Sequence, residues 1–290
     1  GRAGPRIRVR DGWRRDISPY NRAAYPVPRR KPASMTASTA APTGCLIIIG
    51  NEILSGRTQD VNLNHLAKVL GGMGVRLREA RVVADDEAAI IEAVNQTRAR
   101  YTYVFTTGGI GPTHDDITAA CVAKAFGVPL LRDPEAVRRL EAHYAGTGRE
   151  LNEARLRMAN VPQGGILIDN PVSAAPGFQI GNVFVMAGVP AIMQAMLAGL
   201  TNRLVGGPVV LARTVRCLVG EGELAGGLSA IQDRYADVDI GSYPTYREGR
   251  FATSLVLRSP DAARLAAATE EVAALVRGMG AEAEVVEGAA

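Results

Sequence analysis

The chain has 290 residues, 47% of them hydrophobic, which is enough for two modest domains with sizeable cores. Its net charge of +4 is local: residues 1–34 carry ten Arg and Lys against two acids, and the rest carries 23 bases against 27 acids. A mildly acidic body gives no support for nucleic-acid binding, and no apolar run nears the ~20 residues of a membrane span.

Residues 1–43 are rich in Arg and Pro and lack the apolar core of a secretory signal, which predicts a disordered basic tail. Met35 marks an alternative start within it, and Pro5, Pro19, Pro26 and Pro28 argue against an amphipathic presequence helix. Next, Leu46–Ile49 reads as a strand buried on both faces. A helix follows over 60–73, stopped by Gly71 and Gly72, then an alternating strand over 75–83. Asp85 or Asp86 caps a helix running to Arg98, and 102–107 is another buried strand. A helix is expected over 116–126, another from Pro134, and a third over 149–159. Short strands near 165–168 and 183–186 lead to a helix over 190–204. This β-α-β-α-β-α order predicts an α/β fold with a mostly parallel sheet over 44–205.

Gly206-Gly207-Pro208 reads as a boundary. Beyond it, strands are expected over 214–219, 240–246, 251–257 and 283–286, with helices over 224–235 and 260–279. The two middle strands form a hairpin through Glu248 and Gly249. This βαββαβ order predicts a small ferredoxin-like module over 206–290. Three cysteines (Cys45, Cys121 and Cys217) show no metal-ligand or redox spacing. Cys45 and Cys121 read as small buried apolar residues, which fits a reducing cytoplasm.

The chemistry concentrates in TTGGIGPTHDD, residues 106–116. Gly108, Gly109 and Gly111 end a buried strand, where open parallel sheets bind ligands. Glycines let a backbone approach a ligand closely, and exposed N–H groups suit an anion. Asp115 and Asp116 would repel a bare phosphate unless a divalent metal bridged carboxylate and phosphate. The competing reading is a tight turn with an Asp helix cap. The loop has no Lys after its glycines, so it is no Walker A loop, and it is not GxGxxG. Two further loops should meet the same sheet edge. One carries Glu52 and Ser55, and the other carries Asp85 with Asp86 and Glu87. His114 reads first as a solvent-facing loop residue and second as a general acid.

TTGGIGPTHDDIT resembles the signature of molybdopterin-binding domains of the MoaB/Mog type. GNEILSGRTQDVN and NPVSAAPGF are similar to the amino-terminal domain of CinA proteins. VVADDEAAI and DIGSYPTYREGRF look like the corresponding domain of eukaryotic FAD synthase. The resemblance covers about residues 44–260 and implies a three-layer α/β/α MoaB/Mog-like fold, with a KH-type character for the second module. It implies a small-molecule nucleotide or pterin ligand. Asp116 and Asp85 match its acids, Gly108, Gly109 and Thr118 its phosphate loop, and Asn170 and Ser173 its NPVSAAPG loop. Where CinA-like chains usually read PGPPSEM, this one reads Ala187-Gly188-Val189-Pro190-Ala191-Ile192-Met193.

Together these readings give an expected metal-dependent pyrophosphatase acting on a nucleotide diphosphate such as ADP-ribose or FAD. Asp116, Asp85 and Glu52 would hold Mg²⁺, Mn²⁺ or Co²⁺, and the three loop glycines, Ser55 and Thr118 would face phosphate. The alternatives are a molybdopterin-binding or adenylyl-transfer protein of cofactor synthesis, and a non-catalytic ligand-binding module. Expected partners are the small molecule and further copies of the chain, with no membrane. No nucleic acid is expected either, because Gly220-Glu221-Gly222-Glu223 is acidic where a KH loop would clamp phosphates.

Overall fold

The computed structural model describes residues 41–247 and 250–288. Most of the expected tail and the Glu248–Gly249 turn lie outside the described residues. The first strand, β1 (Thr43–Ile49), leads into a short turn of helix, α1 (Asn51–Leu54), and then α2 (Asn62–Gly72). β2 (Arg76–Val83), α3 (Glu87–Arg100) and β3 (Tyr103–Thr107) follow. Asp86, not Asp85, caps α3, accepting a hydrogen bond from Ala89 N at 2.9 Å. α4 (Thr118–Phe126) starts two residues later than its expected beginning at Asp116. β4 (Leu130–Arg132) precedes α5 (Pro134–Ala145), which Asp133 caps through Ala136 N. The expected helix over 149–159 is shorter: α6 (Glu153–Leu156) runs into a 3-10 turn, Arg157–Ala159. β5 (Asn160–Pro162) pairs with β4. β6 (Ile166–Ile168), β7 (Gly177–Ile180), β8 (Val183–Met186) and α7 (Pro190–Leu200) complete the first body.

The main sheet has the order β2-β1-β3-β8-β7-β6. β2, β1, β3 and β8 are parallel, whereas β7 and β6 run antiparallel to their neighbours. β1 is buried on both sides because its side chains alternate between two cores. Cys45 and Ile47 pack with Ile90 and Val94 of α3 and Cys121 and Val122 of α4. Leu46 and Ile48 pack with Leu66 and Leu70 of α2 and Met193 and Met196 of α7. Phe105 and Phe184 stack within the second core, their ring centroids 5.3 Å apart. The result is a three-layer α/β/α body.

The second module runs β9 (Leu211–Cys217), α8 (Glu221–Arg234), β10 (Asp239–Arg247), β11 (Arg250–Ser259), α9 (Ala262–Gly278) and β12 (Glu284–Glu287). Its sheet is antiparallel throughout with the order β10-β11-β9-β12. First and third strands lie in the centre, as in a ferredoxin-like unit. Val215, Leu255 and Leu257 pack on Leu224 of α8 and Val272 and Val276 of α9. Among the described residues no helix is long and apolar enough to cross a membrane.

Cys45, Cys121 and Cys217 are all buried and unpaired. Burial pushes the thiols of Cys45 and Cys121 up to about 11. At pH 8 their thiolate fraction is then on the order of 10⁻³, and little reagent reaches them. Iodoacetamide is therefore expected to leave both unmodified in the native protein and to label both in denaturant. Mass spectrometry of the tryptic peptides reads the difference.

Candidate functional site

Strand register brings the site together. Ile49 lies beside Val83, Ile48 beside Thr107, and Thr107 beside Met186. The loops after β1, β2, β3 and β8 therefore leave the sheet at one edge. Ile168 pairs with Gly177, so the β6–β7 loop turns at that edge too. These loops enclose a cleft of ≈ 390 Å³. Glu52, Asp85, Gly108, Gly109, Gly111, Asp116, Asn170 and Ser173 all line it. Ser55 and Thr118 do not. Ser55 is exposed and donates to the carbonyl of Glu52 at 3.2 Å. Two wider grooves elsewhere, ≈ 980 and ≈ 1130 Å³, hold none of the expected site residues.

The glycine loop is shaped from beneath. Gly108 has φ +105° and Gly109 φ +65°, conformations that disfavour a side chain. A Cβ on Gly108 would stand 2.1 Å from the Ile49 carbonyl oxygen, and one on Gly109 2.2 Å from Thr118 Oγ1. Thr118 is fully buried and donates to the Gly108 carbonyl at 2.9 Å, so it pins the loop from the protein side. The N–H groups of Gly109, Ile110 and Gly111 make no hydrogen bond among the described residues. A row of unpaired backbone donors at a sheet edge is a ready anion cradle.

Each key carboxylate uses one oxygen to hold the loops and keeps the other. Asp116 is not a helix cap. Its Oδ2 accepts from Thr113 N at 2.8 Å and from Thr113 Oγ1 at 2.5 Å, closing the turn before α4. Asp85 Oδ2 accepts from Asn51 N at 2.8 Å and ties the loop after β2 to the loop after β1. The remaining Oδ1 atoms have no hydrogen bond among the described residues. His114 is 96% exposed, 4.0 Å from Asp115, and does not line the cleft.

Four carboxylates line the cleft (Glu52, Asp85, Asp115 and Asp116), and no Lys, Arg or His does. A phosphate could not lie beside them without a counter-cation. Among the described residues no three His, Cys, Asp or Glu side chains converge closely enough to hold a metal ion. Asp116, Asp85 and Glu52 thus share a cleft without forming a three-carboxylate cage. That donor set fits a hard ion of the Mg²⁺ type, which takes one or two carboxylates and fills its shell with phosphate oxygens and water.

The β6–β7 loop depends on Asn170. Its Nδ2 donates to Ser173 Oγ at 2.7 Å and to the Ala175 carbonyl at 2.8 Å, while Oδ1 accepts from Val172 N and Ser173 N, each at 3.1 Å. The amide is spent on its own loop, which carries Ala174 at φ +61°. Asn170→Ala is expected to cost about 1–3 kcal/mol, because the Val172 and Ser173 amides and the Ala175 carbonyl lose their partner. The urea midpoint measures it.

Sequence reasoning missed Asn62, which is 4% exposed and donates from Nδ2 to the Gly188 carbonyl at 2.8 Å. The bond spans 126 residues and fastens α2 to the loop after β8. It also missed the apolar wall of Ile49, Met158, Val189 and Ile192.

Residues 45–205 match the family model described as a probable molybdopterin binding domain, and residues 209–283 the one described as the FAD synthase middle domain. A protein of Pyrobaculum calidifontis is 34% identical over 212 residues, which is 70% of this chain and 81% of that one. A CinA-like protein of Desulfosudis oleivorans is 37% identical over 156 residues, 52% of this chain but only 38% of the relative. Among solved structures, that of the protein CinA with unknown function from Thermoplasma acidophilum is 34% identical, with a TM-score of 0.53. The match covers 56% of this chain and 98% of that one.

Proposed function

The chain belongs to the CinA-like family of molybdopterin-binding-domain proteins, and from that premise we propose that it is a metal-dependent pyrophosphatase of a nucleotide diphosphate such as ADP-ribose or FAD. One observation carries the reading: three loop residues with unpaired N–H groups and four carboxylates line the same base-free cleft. Phosphate donors and metal-type acceptors are the two halves of a diphosphate site.

Asp85 and Asp116, with Glu52 nearby, would hold the divalent ion. When bound, such an ion neutralises phosphate charge and lowers the pKa of a coordinated water. The N–H groups of Gly109, Ile110 and Gly111 receive the phosphate oxygens and the charge that develops on them. Water adds to one phosphorus, the bridging P–O bond breaks, and the two halves leave as monophosphates. Asp116 is already fixed by Thr113, so its free oxygen needs no reordering when ligand arrives. The apolar wall accepts the flat ring of the ligand.

A second reading is favoured by the description of the matched family model, which points to molybdopterin itself. Incubation of the protein with ADP-ribose, FAD and molybdopterin under Mg²⁺, Mn²⁺ and Co²⁺ separates the two. Metal-dependent release of nucleoside monophosphate is the expected result. Tight molybdopterin binding with no cleavage of any diphosphate would replace the first reading by the second.

A further inference from the structure

Along the glycine loop the cleft adjoins a side pocket of ≈ 130 Å³. The two spaces share Gly109, Ile110, Gly111, Asp116 and Met158. Their electrostatics differ. The side pocket brings in Arg157, from the 3-10 turn after α6, and Asn160. Arg157 is the only Lys, Arg or His lining either space among the described residues.

Arg157 is partly buried and makes no ion pair or hydrogen bond through its side chain among the described residues. Its neighbours do. Arg155 donates to the Glu150 carbonyl and lies over the Tyr144 ring, and Arg132 pairs with Glu153 at 2.5 Å. A guanidinium taken partly out of water with no anion loses hydration and gains nothing in return. A bound anion would restore the balance, because a guanidinium fork matches phosphate oxygens in pairs.

Size and placement restrict the anion. At ~30 Å³ per water, the pocket holds the equivalent of roughly four waters. A phosphoryl group fits that space, whereas a whole nucleoside does not. The two spaces meet at Gly109, Ile110 and Gly111, which bear the free N–H groups, so a diphosphate lying along the loop can place one phosphate in each. We propose that the side pocket is a phosphoryl subsite, in which Arg157 pairs with the second phosphate of the ligand and selects diphosphates over monophosphates. This deepens the reading of the cleft as a diphosphate site and rests on it.

Isothermal titration of the full chain with inorganic pyrophosphate and with orthophosphate, both under Mg²⁺, tests the proposal. Pyrophosphate is expected to bind the wild type more tightly than orthophosphate. Arg157→Gln should weaken pyrophosphate binding by about 10- to 100-fold, the range for one charged hydrogen-bonded partner, and leave orthophosphate little changed. Arg157→Lys should retain part of the affinity, since it keeps the charge but not the fork. Matching melting curves show that the variants fold. Unchanged pyrophosphate affinity in Arg157→Gln, or no pyrophosphate binding by the wild type, overturns the proposal. The outcome is separable from the hydrolase reading. Arg157-dependent binding without turnover keeps the subsite and removes the hydrolase, and turnover with Arg157→Gln binding unchanged does the reverse.

Discussion

Asp116→Asn is expected to lower metal-dependent turnover by about 10²–10³-fold, the usual cost of removing a charge-stabilising group from a preorganised site. The fold should survive. Asp116 Oδ2 accepts from the amide and hydroxyl of Thr113, and an asparagine carbonyl oxygen can accept both. What the amide cannot supply is negative charge for a divalent ion. Asp85→Asn should act in the same direction but less strongly, keeping the bond from Asn51 N. His114→Ala should change little, because that ring is exposed and lies outside the cleft. Turnover of the diphosphate and a melting curve, recorded for each variant, check all three. Near-normal turnover in Asp116→Asn would reduce Asp116 to a fastener of the turn before α4.

Gly108→Ala is expected to be the most damaging small substitution in the loop. A side chain at its φ costs about 1–3 kcal/mol, and overpacking adds roughly 1–3 more. The obstacle is the Ile49 carbonyl oxygen at the end of β1, which cannot move without disturbing the central strand. Gly109→Ala should cost less. Its φ lies in the left-handed region that other residues sometimes occupy, and its obstacle is the Thr118 hydroxyl, whose displacement gives up one hydrogen bond but moves no strand. For a chain of this size each kcal/mol lowers the melting midpoint by roughly 2–4 °C, so the ranking is measurable. An equal loss for both variants would contradict the difference between a fixed carbonyl and a movable side chain.

Much of this architecture was legible because it is local. Leu46–Ile49 and Tyr103-Val104-Phe105 are unbroken apolar runs, and both belong to buried interior strands of the sheet. Parallel topology then places the loops after β1, β2 and β3 at one edge, which is why Glu52, Asp85 and the glycine loop were found together. β7 was missed because Pro176-Gly177 looks like a turn. Gly177 is in fact the first strand residue, and a Cβ there would lie 2.2 Å from the Val185 carbonyl oxygen. Close approach, not a turn, requires that glycine. Asn170 stood out in the sequence, but its four bonds to its own loop could be seen only in three dimensions. Arg157 carried no signal, and Asn62 only closed the GNEILSGRTQDVN motif without any sign of its partner. One reaches the glycine loop only because the chain turns back after α6, and the other answers a carbonyl far along the sequence.

The two margins of the main sheet bear on how the chain avoids aggregation. TGCLIII, the segment of β1, is short, apolar and uncharged, the composition that stacks readily into cross-β assemblies. It is enclosed by β2 on one side and β3 on the other. β2, the outer strand next to it, alternates charge along RLREARVV and so repels an incoming strand. At the far margin β6 is only three residues long, too short a template for intermolecular pairing. The hazard of β1 is therefore confined to the time before β2 docks. Conditions that slow this docking should favour fibrillar deposits over amorphous precipitate, whatever the state of the cleft.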